Sequence, residues 1–293
     1  MTTLITGATG LIGRQLVARV ANPVVLSRGD ISIGAPSYRW DASTESPPIE
    51  ALRGADVIFH LAGDPVADGR WTSEKRRRIH DSRVLGTRHL VATIAELEAK
   101  PRVLVSASAV GYYGDRGDEA LDERSSAGSG FLADVCRAWE HEALDATKLG
   151  VRVACVRFGV VLAKSGGALG RMLPAFKLGL GARIGNGRQW MPWIHVDDAV
   201  GILLHASVTP SIVGPVNAVA PIPITNNEFT QALGKALQRP ALLAIPAGAL
   251  NFALGETGSM LLASQRVFPS VANETGYRFK QKTIDEALRE IAR

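Results

Sequence analysis

Short apolar runs rich in β-branched residues recur through the first half of the chain, each closed by a polar or glycine-rich break. Leu4-Ile5, Val24-Val25-Leu26, Val57-Ile58-Phe59, Val103-Leu104-Val105 and Val151–Phe158 are the clearest. Runs this short, apolar without alternation, read as strands buried on both faces of a parallel sheet. Between them lie stretches of helical composition, Leu11–Val20, Ser73–Leu97 and Gly130–Leu149. Strand–helix–strand alternation predicts an α/β fold, a doubly wound parallel sheet of Rossmann type.

After Phe158 the pattern changes. Residues 159–190 are glycine-rich and irregular, with little periodicity. Trp193-Ile194-His195 leads into Asp197-Asp198 and a helix through His205, with Asp197 the predicted cap and His195 a structural hydrogen-bonding residue. Pro215–Val219 reads as one more strand, and the prolines from Pro221 with Asn226-Asn227 read as a linker. Thr283 and Glu286 have the spacing of a capping box at a last helix. The expected organisation is a Rossmann domain of residues 1–158 and 193–220. A discontinuous substrate lobe of residues 159–192 and 221–293 packs on the sheet's carboxyl edge, where such folds bind ligands.

With 46% hydrophobic and 21% charged residues over 293 positions, the chain is neither disordered nor a coiled coil. The net charge of +5 is spread, and its densest run, Lys75–Arg78, reads as a solvated helix face rather than a nucleic-acid footprint. Cys136 and Cys155 are too few for a disulfide framework or a cysteine zinc site, and no metal is expected. The longest apolar stretch, Ala241–Leu254, is broken by Pro246, Gly248 and Asn251 and falls short of the roughly 20 residues that cross a bilayer. No membrane partner is expected, and a cytoplasmic location is.

The densest chemical signal is Thr6-Gly7-Ala8-Thr9-Gly10-Leu11-Ile12-Gly13, which follows the first strand and opens a helix. Gly7 permits a sharp turn, Gly10 lets backbone approach a pyrophosphate, and Gly13 lets helix pack on sheet. Free amides at the helix start then face phosphate, so Thr6, Gly7, Thr9, Gly10, Leu11, Ile12 and Gly13 are candidate cofactor contacts. About 20 residues on, an NAD site places a carboxylate for the ribose. This chain has Ser27-Arg28 there, and Arg28 suits a 2′-phosphate, so NADP(H) is the expected cofactor.

The spacing Gly7-x-x-Gly10-x-x-Gly13 resembles the extended short-chain dehydrogenase/reductases, the NAD-dependent epimerase/dehydratase superfamily. His60-Leu61-Ala62-Gly63 resembles that family's segment after the fourth strand, and Trp40-Asp41 the segment whose Asp contacts adenine. Ser106-Ala107-Ser108-Ala109 with Tyr112-Tyr113-Gly114 resembles the strand that carries its catalytic Ser. Trp193–Asp198 resembles its late segment. The resemblance adds Asp41, Leu61, Ala62, Gly63, Ser106 and Arg157 to the candidate cofactor contacts. The chain is most similar to a branch of "epimerase family" proteins of bacteria and vertebrates. The marks are Arg70-Trp71-Thr72, Ser82-Arg83-Val84, Phe131-Leu132-Ala133, Trp139-Glu140, Gly185-x-Gly187-Arg188-Gln189-Trp190 and a terminal block over residues 243–290.

The superfamily's Tyr-x-x-x-Lys pair is missing. Aligned on Trp139-Glu140, Leu132 stands at the Tyr position, Cys136 at the Lys position and Arg83 where an Asn falls. Hydride transfer survives that loss because the cofactor performs it, whereas proton transfer needs a substitute. Ser108, Tyr112 and Tyr113 are the candidates. Cys136, on an apolar helix face, reads as an inert buried thiol. Arg70, Trp71, Arg188 and Trp190 offer charge and stacking surface for a substrate, and the loop from Gly166-Gly167 to Gly187 is a candidate cover. The expected function is an NADP(H)-dependent oxidoreductase or epimerase on a small polar substrate, in a chain that forms a homodimer. A non-catalytic NADP(H) sensor is the alternative, and a nucleotide-sugar enzyme holding NAD stands behind both.

Overall fold

The computed structural model describes residues 1–29, 34–164 and 166–292. The strands are β1 (Thr2–Thr6), β2 (Pro23–Ser27), β3 (Ser37–Arg39), β4 (Ala55–His60), β5 (Val103–Ala109), β6 (Ala120–Leu121), β7 (Arg152–Phe158), β8 (Val160–Leu162), β9 (Ala182–Ile184), β10 (Trp190–Met191), β11 (Trp193–His195), β12 (Gly214–Ala218), β13 (Ile224–Thr225), β14 (Leu243–Ile245) and β15 (Arg266–Val267). The helices are α1 (Leu11–Val17), α2 (Ile49–Leu52), α3 (Ser73–Asp81), α4 (Val84–Glu96), α5 (Phe131–Leu144), α6 (Gly167–Lys177), α7 (Val196–Val208), α8 (Asn226–Ala236), α9 (Ala247–Leu254), α10 (Glu256–Leu262), α11 (Ser270–Glu274) and α12 (Ile284–Ala292).

Seven parallel strands form the main sheet in the order β12-β7-β5-β4-β1-β2-β3. The chain starts in the middle, steps outward through β2 and β3, then returns to β4 and steps outward the other way. The direction reverses between β1 and β4, and that crevice is where α/β sheets bind ligands.

Adjacent apolar residues in each strand serve opposite faces. Ile5, Val25, Val57, Phe59 and Val105 join a core with Leu16 of α1 and Val200, Ile202 and Leu203 of α7. Leu4, Leu26, Ile58 and Leu104 join the other core with Leu90 and Ile94 of α4 and Ala143 of α5. Each fully buried Leu, Ile or Val contributes about 1.5–3 kcal/mol, so both layers are needed to hold the sheet. A third core joins α6, α8 and α12 through Leu169, Phe176, Phe229, Leu233 and Leu288.

Four expectations change. The single helix over Ser73–Leu97 is two, because Ser82 Oγ accepts from Asp64 N at 2.9 Å and donates to Ile79 O at 3.3 Å. The region 159–190 contains α6, whose apolar positions 169, 172, 173 and 176 have helical spacing despite Pro174. Asn226-Asn227 opens α8 rather than a linker, with Thr225 and Glu228 forming a reciprocal capping box. His195, not Asp197, caps α7: its Nδ1 accepts from Asp197 N at 3.2 Å, while Asp197 pairs with Arg19. Thr283 and Glu286 cap α12 as expected.

Asp198 ties the C-terminal segment to α7. It is fully buried and accepts from Tyr277 Oη at 2.9 Å, Lys280 N at 2.8 Å and Gln281 N at 2.9 Å. Gly201 makes room for that hydroxyl, since a Cβ there would lie 2.0 Å from Tyr277 Oη. Asp198→Ala is expected to destabilise the protein by about 3 kcal/mol, because it removes a fully buried acceptor from three part-buried donors. Urea denaturation measures this, and a cost below about 1 kcal/mol would mean that water replaces the carboxylate.

Candidate functional site

The turn after β1 is built around close approaches that only glycine permits. Gly7 has φ +71°, and a Cβ on it would lie 2.6 Å from Leu61 O, in the segment after β4. A Cβ on Gly13 would lie 2.3 Å from Gly7 O. A Cβ on Gly10 would meet only Gly7 O, at 3.2 Å, and both Thr9 and Gly10 are exposed. Two glycines therefore shape the turn and the third faces outward. No side chain caps the start of α1, so its first amides are open to a ligand. Leu11 is half-buried there, and Ile12 packs into the sheet core. A dinucleotide's pyrophosphate fits this cradle.

The switch point is pinned by one buried histidine. Thr87 Oγ1 donates to Arg83 O at 2.6 Å, so it accepts from His60 Nε2 at 3.0 Å. His60 Nδ1 then accepts from Thr6 Oγ1 at 2.8 Å, and Thr6 Oγ1 accepts from Leu61 N and Ala62 N, each at 3.0 Å. Each proton in this chain has one place to go. Burial lowers the His60 pKa to about 4, so the imidazole is neutral. The chain holds Leu61, Ala62 and Gly63 against the glycine turn. Thr6 contributes from below and has no exposed surface.

At the other end of the cradle, Arg28 is exposed beyond β2 and Ser27 is half-buried. Trp40 is buried and donates to Glu45 O at 2.8 Å. Asp41 beside it accepts from Ser43 N at 2.9 Å, at the edge of the sheet.

The candidates for proton transfer are drawn into a buried network. Ser108 is 3% exposed and donates to Glu140 Oε1 at 2.6 Å. Arg157 is 2% exposed and grips Glu140 with two bonds of 2.7 Å. Burial works against the Arg157 charge, but the Glu140 hydrogen bonds and carboxylate outweigh it, and the guanidinium pKa rises. Arg157 also donates to Tyr113 Oη at 2.9 Å, and Tyr113 Oη reaches Asn217 Oδ1 at 2.8 Å. Tyr113 has no exposed surface, and burial pushes its phenol up to about 12. Ser106 is 1% exposed and its hydroxyl reaches Ala107 O at 3.3 Å. Ser106, Ser108, Tyr113 and Arg157 thus brace the sheet edge from inside. Tyr112 differs. It is half-buried, its ring lies 3.5 Å from the Arg157 guanidinium carbon, and its hydroxyl has no hydrogen bond among the described residues.

Arg83, at the break between α3 and α4, lies where the sheet, α5 and the Gly63 loop converge. Its Nη1 donates to Asp64 O at 3.0 Å and Ile79 O at 3.2 Å, and its Cζ lies 5.2 Å from the Trp139 ring. Its Nη2 lies 3.1 Å from where a Gly63 Cβ would stand. Cys136 is buried nearby, and burial pushes its thiol up to about 11, so it is a thiol and not a thiolate. In the sequence Arg83 stood out as part of the Ser82-Arg83-Val84 mark and as the residue at an Asn position, with no role of its own. Glu140 stood in a family mark, with no sign of its partner seventeen positions away.

Helix α6 borders the cradle at Leu11. Gly166 and Gly167, at φ +80° and +61°, start α6, and Gly167 sits so close to Leu11 that a Cβ would approach Leu11 Cδ2 to 3.0 Å. Arg171 of α6 donates to Ala67 O at 2.7 Å and pairs with Asp68, in the loop after β4. Trp71 in that loop donates to Val66 O at 2.8 Å and meets Phe131 edge-on. Arg70 is exposed beside Gly255, at the start of α10, and Gly185 borders Leu262 at its end. Arg188 is exposed, and Trp190 donates to Asp118 Oδ1 at 2.7 Å beneath Arg266. The two Arg–Trp pairs do not stack on each other: each tryptophan has another partner.

His195, Asp197 and Glu290 place donor atoms within 4.8 Å of one another. His195 Nδ1 is occupied by the α7 cap and Asp197 by Arg19, so this trio serves the helix start. No helix is long and apolar enough to cross a membrane among the described residues.

Comparison with known proteins places this geometry in context. Residues 3–215 match the NAD dependent epimerase/dehydratase family, and residues 245–291 match a domain of unknown function, DUF1731. The chain is 42% identical to an epimerase family protein of Mycobacterium bovis, covering 97% of this chain and 95% of that one. It is 41% identical to the chloroplastic epimerase family protein SDR39U1 homolog of Arabidopsis thaliana, covering 99% and 86%. The crystal structure of human epimerase family protein SDR39U1 with NADPH superposes with a TM-score of 0.90 at 34% identity, covering 100% and 99%.

His60 makes the stability of this region depend on pH. Its pKa falls from 6.5 in the unfolded chain to about 4 in the fold, so the native state binds fewer protons between those values. Stability is full above pH 6.5 and declines as pH falls towards 4, by about 3 kcal/mol in all at 1.36 kcal/mol per unit. Histidine NMR titration is expected to show one imidazole that stays neutral until pH nears 4 and loses its shift with the fold. An ordinary titration near 6.5 for His60 would refute the chain of bonds drawn above.

Proposed function

The chain belongs to the NAD dependent epimerase/dehydratase family, and on that premise we propose that it is an NADP(H)-dependent oxidoreductase or epimerase acting on a small polar substrate. The observation that carries the reading is the division of labour among the three glycines. Gly7 and Gly13 are filled from behind by Leu61 O and Gly7 O, while Gly10 and the uncapped amides of α1 are left facing out. Arg28 at the end of β2 then selects a 2′-phosphate over a bare ribose. The NADPH in the crystal structure of the human relative supports this preference.

Bound NADPH supplies the hydride. The chain's own residues supply position and charge. The turn holds the pyrophosphate, Asp41 and the Leu61–Gly63 segment flank the adenosine half, and α6 covers the cleft from Leu11 to Asp68. At the reacting end, Arg83 takes the role of hydrogen-bond donor. Its Nη2 beside Gly63 favours a substrate that presents a carbonyl or carboxylate oxygen. Tyr112 is the phenol left to hold or pass a proton. Arg70 and Arg188 offer further positive charge to such a substrate. The second reading, an NADP(H)-binding sensor without turnover, is favoured by one observation: Ser108 and Tyr113 are committed to the Glu140–Arg157 pair.

Fluorescence titration is expected to show NADPH binding at least about tenfold tighter than NADH, with Arg28→Gln removing the difference. Equal affinities in the wild type would move phosphate recognition away from Arg28. Transfer of deuterium from 4-deuterated NADPH into any compound of a metabolite extract separates enzyme from sensor. Once a substrate is found, Arg83→Gln should lower kcat by about 10- to 100-fold while leaving the NADPH Kd unchanged. A parallel loss of NADPH affinity would make Arg83 a cofactor contact instead.

A further inference from the structure

The sheet register brings a second arginine to the adenosine end of the cradle. β3 runs parallel to β2 and pairs Ser27 with Arg39, at the roughly 4.8 Å spacing of adjacent strands. Side chains alternate between faces along a strand. Val25 faces the core shared with α1, and Leu26 faces the core shared with α4. Ser27 therefore returns to the α1 face. Trp40, the residue after β3, is buried in the α4-side core, so Arg39 projects on the α1 face with Ser27. The open glycine turn stands on that same face. Arg28 and Arg39 are both exposed, and neither is in an ion pair among the described residues.

We propose that Arg39 is a second specificity-determining residue for the cofactor's 2′-phosphate, closing with Arg28 a two-arginine clamp over Ser27. The inference rests on the NADP(H) reading and goes one residue beyond it. A dianionic phosphate presents three oxygens, more than one exposed guanidinium at a loop tip can hold while solvated. Arg28 approaches from the chain direction of β2. Arg39 approaches from the neighbouring strand, where it pairs with Ser27. Arg39 stands on a strand, which fixes its Cα more firmly than the loop fixes that of Arg28.

The test begins with the wild type, NADPH against NADH. A wild type that binds neither, or binds both alike, removes the NADP(H) reading and the clamp with it. Given a preference for NADPH, Arg39→Gln should weaken NADPH and adenosine 2′,5′-bisphosphate by about tenfold or more, with NADH and 5′-AMP held within about twofold. Arg39→Lys should keep part of the lost affinity, because it keeps the charge without the fork. The clamp is overturned if Arg39→Gln binds NADPH as the wild type does. It is equally overturned if the variant loses NADPH and NADH in the same proportion, which would place Arg39 against the adenine or in the fold. The surface position of Arg39 means that the variant folds, and thermal denaturation checks that it does.

Discussion

The carboxyl edge of this sheet depends on one buried ion pair. Glu140 of α5 and Arg157 of β7 meet through two hydrogen bonds and are almost without exposed surface. Neither charge can be left alone there, since removing one partner of such a pair costs about 3–5 kcal/mol. The network extends beyond the pair. Ser108 also donates to Glu140, and Arg157 Nη1 donates to Tyr113 Oη, which lies 2.8 Å from Asn217 Oδ1 and 2.9 Å from Asp122 O. Asn217 in turn donates to Phe268 O. A single network thereby runs from β5 through α5, β7 and β12 to the chain's last quarter. It engages the hydroxyls of Ser108 and Tyr113, two of the three groups that the sequence offered for proton transfer, and leaves that of Tyr112 outside.

On the other side of the sheet the constraint is close approach and not charge. The backbone after β4 lies against Gly7 because Thr6, His60 and Thr87 form a chain of hydrogen bonds with a single consistent direction. Preorganised amides cost little on binding, which is what an anion-binding turn needs. The two halves of the site have diverged in kind. The nucleotide half is shaped by backbone close to glycine, while the other half is shaped by the buried Glu140–Arg157 charge pair.

The sheet was legible because a buried parallel strand has few ways to be written. Leu4-Ile5 and Val57-Ile58-Phe59 feed two cores at once and so carry apolar residues without alternation. The glycine turn was legible because its steric demands are local. Helix α6 was hidden by Gly166, Gly167 and Pro174, although its apolar spacing at 169, 172, 173 and 176 was present. The capping box at Thr225 and Glu228 was equally present and was masked by the asparagines between them. The Glu140–Arg157 pair could not be read at all. Its partners lie on different elements, and although Arg157 stands in an apolar strand run, nothing local names Glu140 as its partner. A hydroxyl in the right motif is no evidence of exposure: Ser108 and Tyr112 are four residues apart, yet only Tyr112 keeps its hydroxyl without a protein partner.

The electrostatics set a limit on how this site can handle protons. His60 is held near 4, Cys136 near 11 and Tyr113 near 12, and burial leads the cause in each case. None of the three changes charge near neutral pH, and Arg157 is held charged by Glu140. A proton that the reaction gains or loses at neutral pH therefore does not come from them. Arg83, by contrast, can stabilise negative charge on a substrate oxygen without transferring any proton. Burial thus leaves His60, Cys136 and Tyr113 without a proton to exchange near pH 7, whatever their place relative to a ligand.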